Sequence, residues 1–469
     1  MTDRISAPNV YLYAFQLHDD SEGSNNPLWK HCDNILANFT NKKLTPRLVF
    51  PQNYHSYRDD LLQNVALQFN SNPPLEGFAQ PLRIQDSYAL CLNIGCPEDG
   101  RADADNVTVD LIETFNPNRT LLIDGGDNFL GQTLLITAWL PENSTDDLKL
   151  LKNLADECRN ALFLNDSPPP FYRSGKLFGS AIFEYGSITD IANYRHLLVW
   201  LLCDKQTDVD FNTCQEEILD LFFYRNKIIK AFQDSRQIYR ELDREYAEIE
   251  EDLKYLQQQL TEGGISLQPE KLQSFKEQLK VLLRKALLYT RLLRKLEDYD
   301  NTIAINLNNY TNILQKICDI LGIDKEELLI LKNFSRKGAP YMRSQIAGDL
   351  GYFRHGTSLI DQAIASIRGI VEIEQAKSDR TNQIALRDSE KAEKDRDDRL
   401  QSTVQSIGVG LAAGGIAASS GTDKVFQTVQ NYKIPVLMQL HPFAFSFLFS
   451  CAIALFLAGI TWWRTKPKK

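Results

Sequence analysis

Ser402-Thr-Val-Gln-Ser-Ile-Gly-Val-Gly-Leu-Ala-Ala-Gly-Gly-Ile-Ala-Ala-Ser-Ser-Gly-Thr422 and Phe443-Ala-Phe-Ser-Phe-Leu-Phe-Ser-Cys-Ala-Ile-Ala-Leu-Phe-Leu-Ala-Gly-Ile-Thr461 give this chain its outline. The first lies within the uncharged residues 400 to 422, between Arg399 and Asp423, and the second within 434 to 463, between Lys433 and Arg464. Each run exceeds the roughly 20 helical residues that cross a bilayer core. The second ends on Trp462 and Trp463 and then the basic tail Arg464-Thr-Lys-Pro-Lys-Lys469. An apolar core, an interfacial tryptophan pair and a cationic flank predict a spanning helix whose tail stays on the cytoplasmic side. Pro435 and Pro442 set its start near His441 or Pro442, because proline suits the first helical turn.

The first run is different in kind. At 100° per residue, Val404, Ile407, Leu411 and Ala418 fall on one side, and Ser402, Ser406, Gly410, Ala413, Ala417 and Ser420 on the other. Such a helix gains little from hydrocarbon on its polar side and needs other helices or water there. Small residues at four-residue spacing, Ser406, Gly410, Gly414 and Ala418, allow close helix approach within a membrane. A spanning helix beside a pore or bundle, a packing-only span, and a flexible linker before a single anchor are the three readings of this run.

The chain has 469 residues and a net charge of -9, so a nucleic-acid partner is not expected. The N-terminus carries no apolar run, and no secretory signal peptide is expected. Eight cysteines are scattered along the sequence, and Cys91 and Cys96 have no second pair with which to form a zinc site. Reduced structural thiols are expected.

Residues 1–205 predict an α+β cytosolic domain. Strand candidates are 10–17, 87–92, 120–124, 132–140, 176–183 and 196–203, rich in aromatic and branched residues and bounded by turn formers. A hairpin is predicted at Asp124-Gly-Gly-Asp127, and a helix from the capping pattern at Ser144 to about Leu162. Residues 206–356 predict long antiparallel helices in a coiled-coil hairpin. Ile218, Leu221, Ile228, Phe232, Ile238, Leu242 and Ile249 recur at helical spacing up to the turn at Gly263-Gly264. A second amphipathic helix then carries Leu272 to Leu296, with shorter helices through Leu321 and Glu326 to Lys332, and a loop from Ser335 to Gly356. Residues 357–400 predict a stalk helix that runs unbroken into the first span (401–422), followed by an outer loop (423–441), the second span (442–463) and the cytosolic tail (464–469). Together the two runs predict a C-terminal two-helix transmembrane hairpin.

An α/β domain, long antiparallel helices, a stalk entering the first of two spans and a Lys/Arg-rich end together resemble the CorA superfamily of divalent-cation channels. The resemblance is carried best by residues 359 to 469. Members close the first span with Gly-Met-Asn; this chain reads Ser419-Ser-Gly-Thr-Asp423 there, so magnesium selectivity does not carry over. The resemblance implies an oligomeric inner-membrane cation channel, a homopentamer, gated through the stalk by its cytosolic domain, with a divalent cation as candidate ligand. It implies that Ser402, Ser406, Gly410, Ala413, Ala417 and Ser420 line the pore. The same face extended backwards carries Asp395 and Asp398 as acidic rings at the cytosolic mouth, with Asp423 at the outer end; such rings concentrate cations. A solvated mixed-charge helix face is the plainer account of these aspartates. Two other functions stay open: a membrane-anchored coiled-coil scaffold or signalling adaptor, and a CorA-like effector of prokaryotic defence. Glu98, Asp99, Asp103 and Asp105 are metal-capable carboxylates whose spacing does not complete a calcium-binding loop, and a solvated acidic loop is expected there. No triad or zincin spacing appears, and an enzyme is not expected.

Overall fold

The computed structural model describes residues 4–18, 23–50, 57–71, 75–97, 106–141, 147–164, 166–188, 194–262 and 269–384. Met1–Val371 form one compact unit and Glu372–Lys469 a second, of which the last turns of one helix, through Ile384, are described.

The first unit is an α+β domain followed by long helices. Its described strands are β1 (Arg4–Leu17), β2 (Arg58–Asp60), β3 (Leu67–Ser71), β4 (Leu75–Ile84), β5 (Ser87–Gly95), β6 (Asn106–Thr108), β7 (Phe129–Trp139), β8 (Phe171–Leu177), β9 (Ser180–Tyr185) and β10 (His196–Leu202). They make one sheet in the order β2-β4-β5-β1-β7-β10-β9-β8, with β3 beside β4 and β6 beside β1. Pairing is antiparallel except between β7 and β10, whose parallel register sets Thr133 against His196.

Period-two alternation divides the strands between two cores. Val10, Leu12 and Ala14 of β1 face α1 (Pro27–Leu36) and α2 (Leu148–Leu162). Tyr13 and Phe15 face the opposite layer, built from α3 (Lys205–Thr213), α4 (Gln215–Glu262), α5 (Pro269–Leu321), α6 (Leu329–Asn333) and α7 (Ala339–Ile384). The central strands β5, β9 and β10 are therefore buried along their whole length. Trp200 of β10 anchors the helical side, with ring centroids 5.7 Å from Phe178 and 5.4 Å from Phe211.

Helices α4, α5 and α7 form a three-helix bundle. Lys285 bonds Asp252 at 2.7 Å, Arg343 bonds Asp300 at 2.9 Å and Arg236 bonds Asp349 at 2.5 Å, so α5 runs antiparallel to both α4 and α7. A five-residue π-turn, Phe334–Gly338, joins α6 to α7 without a break.

Five local expectations change: the strand expected over 176–183 is split between β8 and β9 by a turn at Phe178-Gly179, whose φ angles are +48° and +84°. Residues 120–124 form no strand, so the Asp124–Asp127 turn joins no hairpin; the Gln132 side chain instead binds Leu121 O and Ile123 N. The helix expected from Ser144 starts at Leu148, capped by Asp147. α5 continues to Leu321 as one helix where shorter pieces were expected. The predicted loop from Ser335 to Gly356 is helical, because Met342, Ile346, Leu350 and Phe353 form a buried stripe that outweighs its glycines.

Candidate functional site

Glu184 is a carboxylate buried between sheet and helices, at an inward-facing position of β9 whose neighbour Ile182 belongs to the helix-side core. Period-two geometry leaves it no other direction to point. Three basic side chains meet it. Arg173, its register partner on β8, donates from Nε to Oε2 at 2.5 Å. Arg225 of α4 donates from Nη2 to Oε1 at 2.6 Å and to the Tyr194 hydroxyl at 2.8 Å. His196 Nε2 stands 3.4 Å from Oε1.

Burial alone would raise the Glu184 pKa, but Arg225, His196 and Arg173 overcome it and hold the carboxylate well below the usual range. Burial, reinforced by Arg225, pushes His196 down to about 4, so its imidazole is neutral at neutral pH. Its Nδ1 meets Thr133 Oγ1 at 2.9 Å, and Thr133 also accepts from Asn226 Nδ2 at 3.2 Å. In the tautomer to whose Nδ1 the hydroxyl donates, the imidazole carries its proton on Nε2, toward Glu184. That last contact is long and off-axis, a polar contact rather than a formed hydrogen bond. Asn226 can enter because residue 131 is glycine: φ is +129°, and a Cβ there would sit 2.5 Å from Asn226 Oδ1.

The cluster reaches the start of α7. The Arg225 guanidinium lies 4.2 Å from the centroid of the Phe334 ring, the first residue of the π-turn. Tyr310 of α5 packs on the same ring at 5.4 Å and donates its hydroxyl to Leu331 O of α6 at 3.0 Å. One buried carboxylate thus ties β8, β9 and β10 to α4, and through Phe334 to the helix that leads toward the C-terminus.

One helix face away lies a cleft of about 390 Å³ between β2, α4 and α5. Arg58 spans it, bonding Asp220 at 2.6 Å and Glu216 at 3.0 Å, while Lys316 bonds Glu217 at 2.8 Å. The Tyr57 and Tyr224 hydroxyls meet at 2.6 Å on its wall. Burial holds Asp220 above the ordinary carboxylate range against the pull of Arg58. Its volume is that of a small-ligand site, and its floor is made of ion pairs that a charged ligand can exchange with. Tyr224 lines the cleft and the next residue, Arg225, holds Glu184.

The expected pore residues Ser402, Ser406, Gly410, Ala413, Ala417 and Ser420, and the ring residues Asp395, Asp398 and Asp423, lie outside the described residues, as does the acidic loop at 98–105. No helix among the described residues is long and apolar enough to cross a membrane, and both uncharged runs fall beyond that set. Among the described residues no group of His, Cys, Asp or Glu could hold a metal ion. The Glu184 cluster escaped the sequence pattern, although a signal exists: Glu184 in Ala-Ile-Phe-Glu-Tyr185 is a lone charge inside an apolar run, and Arg225 falls on the apolar stripe of Leu221 and Ile228. No family model matches the chain, and no curated protein or solved structure is significantly similar to it.

Proposed function

We propose that this chain is a CorA-like membrane protein that assembles with copies of itself and conducts cations, with its N-terminal domain biasing the pathway through α7. The observation that carries the proposal is the chain of contacts from Glu184 through Arg225 to Phe334, at the head of a 46-residue helix that precedes the two uncharged runs in the sequence. A buried ionic cluster costs desolvation and is a poor device for stability alone. It is well suited to a bistable joint, because its partners are either all engaged or leave a buried charge unpaired.

In this mechanism a charged ligand enters the cleft at Arg58 and competes for Asp220 or Glu216. Ligand binds one arrangement of α4 better than the other and shifts the population by that difference. The shift passes from Tyr224 to Arg225, to the π-turn and along α7. π-turns inside helices occur often at functional joints. The small-residue face of 402–420 would then line the path, and Trp462, Trp463 and the basic tail would fix the second span.

Full-length protein reconstituted in liposomes tests the proposal by cation flux, with cysteines at Ser406 and Ala413 probed by a water-soluble thiol reagent. Flux blocked by the reagent at both positions is the expected result. Tight vesicles, with cysteines labelled only from lipid, would sink the channel and leave a membrane-anchored scaffold.

A further inference from the structure

We infer that the outer face of α5 between Lys280 and Lys295 docks onto α4 of a second copy of this chain, side by side and head to tail. Over this stretch α5 has six basic residues and no carboxylate, in a chain whose net charge is -9. Lys285 turns inward to Glu248 and Asp252 of its own α4. Lys280, Arg284, Arg291, Arg294 and Lys295 remain on the exposed side. Apolar side chains stand among them: Leu287 is 62 % exposed and Val281 45 %, with Leu283 and Leu288 also open. A mixed basic and apolar face of this kind on a folded helix marks an interaction surface.

The complement lies on α4. Residues 240–254 hold seven carboxylates against three cations. Asp243 and Glu251 are exposed and have no ion-pair partner among the described residues. The two patches also stand level, because Lys285 bridges to residues 248 and 252 across the bundle. Height decides the matter. A rotation about an axis parallel to the bundle keeps every residue at its own height, so only level patches can meet in a ring. Two different patches meeting this way make a heterologous contact, which closes when the rotation divides the circle. Opposite charges would set the register, and Leu287 and Leu288 would supply the apolar centre.

An anionic lipid surface is the other occupant such a face suits. Choosing a second copy over lipid rests on the proposed function, in which copies of the chain assemble, and on the acidic stretch at 240–254, which an anionic surface would repel.

Cross-linking and charge exchange on the full-length protein in detergent test the inference. Under oxidation, Leu287→Cys with Ala247→Cys in one chain should give a ladder of multimers, and neither single variant should. Adding Arg284→Glu and Arg291→Glu should abolish the ladder, and further adding Asp243→Arg and Glu251→Arg should restore it. Dimers from Leu287→Cys alone would mean that two α5 faces meet, and would overturn the inference. So would an absent ladder, or a ladder indifferent to charge reversal. Loss of binding to phosphatidylglycerol vesicles on Arg284→Glu with Arg291→Glu, with no ladder, would assign the face to lipid. A ladder without cation flux rejects the proposed function and keeps the interface; flux without a ladder does the reverse.

Discussion

Arg225 stands where the spacing of α4 calls for an apolar side chain, between Leu221 and Ile228 on the buried stripe. A guanidinium there is tolerable only because Glu184, Tyr194 and the Phe334 ring receive it. Arg225→Leu should therefore cost about 3–5 kcal/mol, the usual loss when one partner of a buried pair is removed. Adding Glu184→Leu should return part of it, since Arg173 reaches the edge of the domain and can hydrate; urea melts of the four proteins in the cycle give the coupling. Strictly additive losses would mean that the pair does not act as a unit. His196 adds a pH signature. Its folded pKa of about 4 lies below the unfolded value of about 6.5, so in that window the unfolded chain binds a proton that the folded chain refuses. Stability from this residue is complete above pH 6.5 and is lost as pH falls toward 4, by about 3 kcal/mol in all. Glu184, held below the usual carboxylate range, adds stability that is lost only at still lower pH. His196→Asn, which keeps a partner for Thr133, should flatten the melting temperature between pH 6.5 and 4. An unchanged slope would show that other groups set it.

Among the elements, α7 is one whose close packing depends on an absent side chain. A Cβ on Gly356 would lie 2.5 Å from the Tyr289 hydroxyl and 2.9 Å from the Tyr246 ring, while Tyr289 donates to Phe353 O at 2.7 Å. Gly356→Ala gains about 1 kcal/mol of helix propensity but overpacks this joint by about 1–3 kcal/mol. Net destabilisation on chemical denaturation is expected, relieved in part by Tyr289→Phe; a more stable single variant would show that α7 can shift freely. The same glycines explain why the start of α7 was hidden. Gly348, Gly351 and Gly356 read as a loop, whereas Pro340 at the helix start and the buried Met342–Ile346–Leu350–Phe353 spacing were the better guides. α4 was legible from its helical period, and β1 from Val10 onward, β5, β7 and β10 from aromatic- and branched-rich runs between turn signals. β4 was not, since Gly77 and Pro81 interrupt it; Pro81 has no N–H, and its carbonyl accepts from Leu61 N at 3.1 Å instead. The apolar Leu121-Leu-Ile123 imitated a strand because sequence does not reveal that one glutamine side chain satisfies its backbone. The Glu184 site was hidden for a different reason. Its members come from positions 133 to 226 and converge only when β7 and β10 pair in parallel.

For the whole molecule, the proposed mechanism requires α6 and the π-turn to move against the sheet, and one close approach makes that movement testable. Gly175 of β8 faces Ile330 of α6, and a Cβ built on Gly175 would lie 3.3 Å from Ile330 Cβ. A disulfide needs a Cβ separation of about 3.5–4.5 Å, so Gly175→Cys with Ile330→Cys requires only a few tenths of an ångström of relaxation. Oxidised, the staple fastens α6 to the sheet and blocks relative motion at the head of α7, while leaving residues 402–420 untouched. Flux through reconstituted full-length protein should then become fixed, either high or low, and insensitive to the charge-removing variant Arg58→Gln in the cleft. Dithiothreitol should restore both the wild-type flux and its response to Arg58→Gln, and neither single cysteine should respond to the reductant. Flux that tracks Arg58→Gln equally well in the oxidised and reduced double variant would mean that the signal does not pass through α6. The coupling would then have to run along the α4–α7 contact, where Arg236 pairs with Asp349.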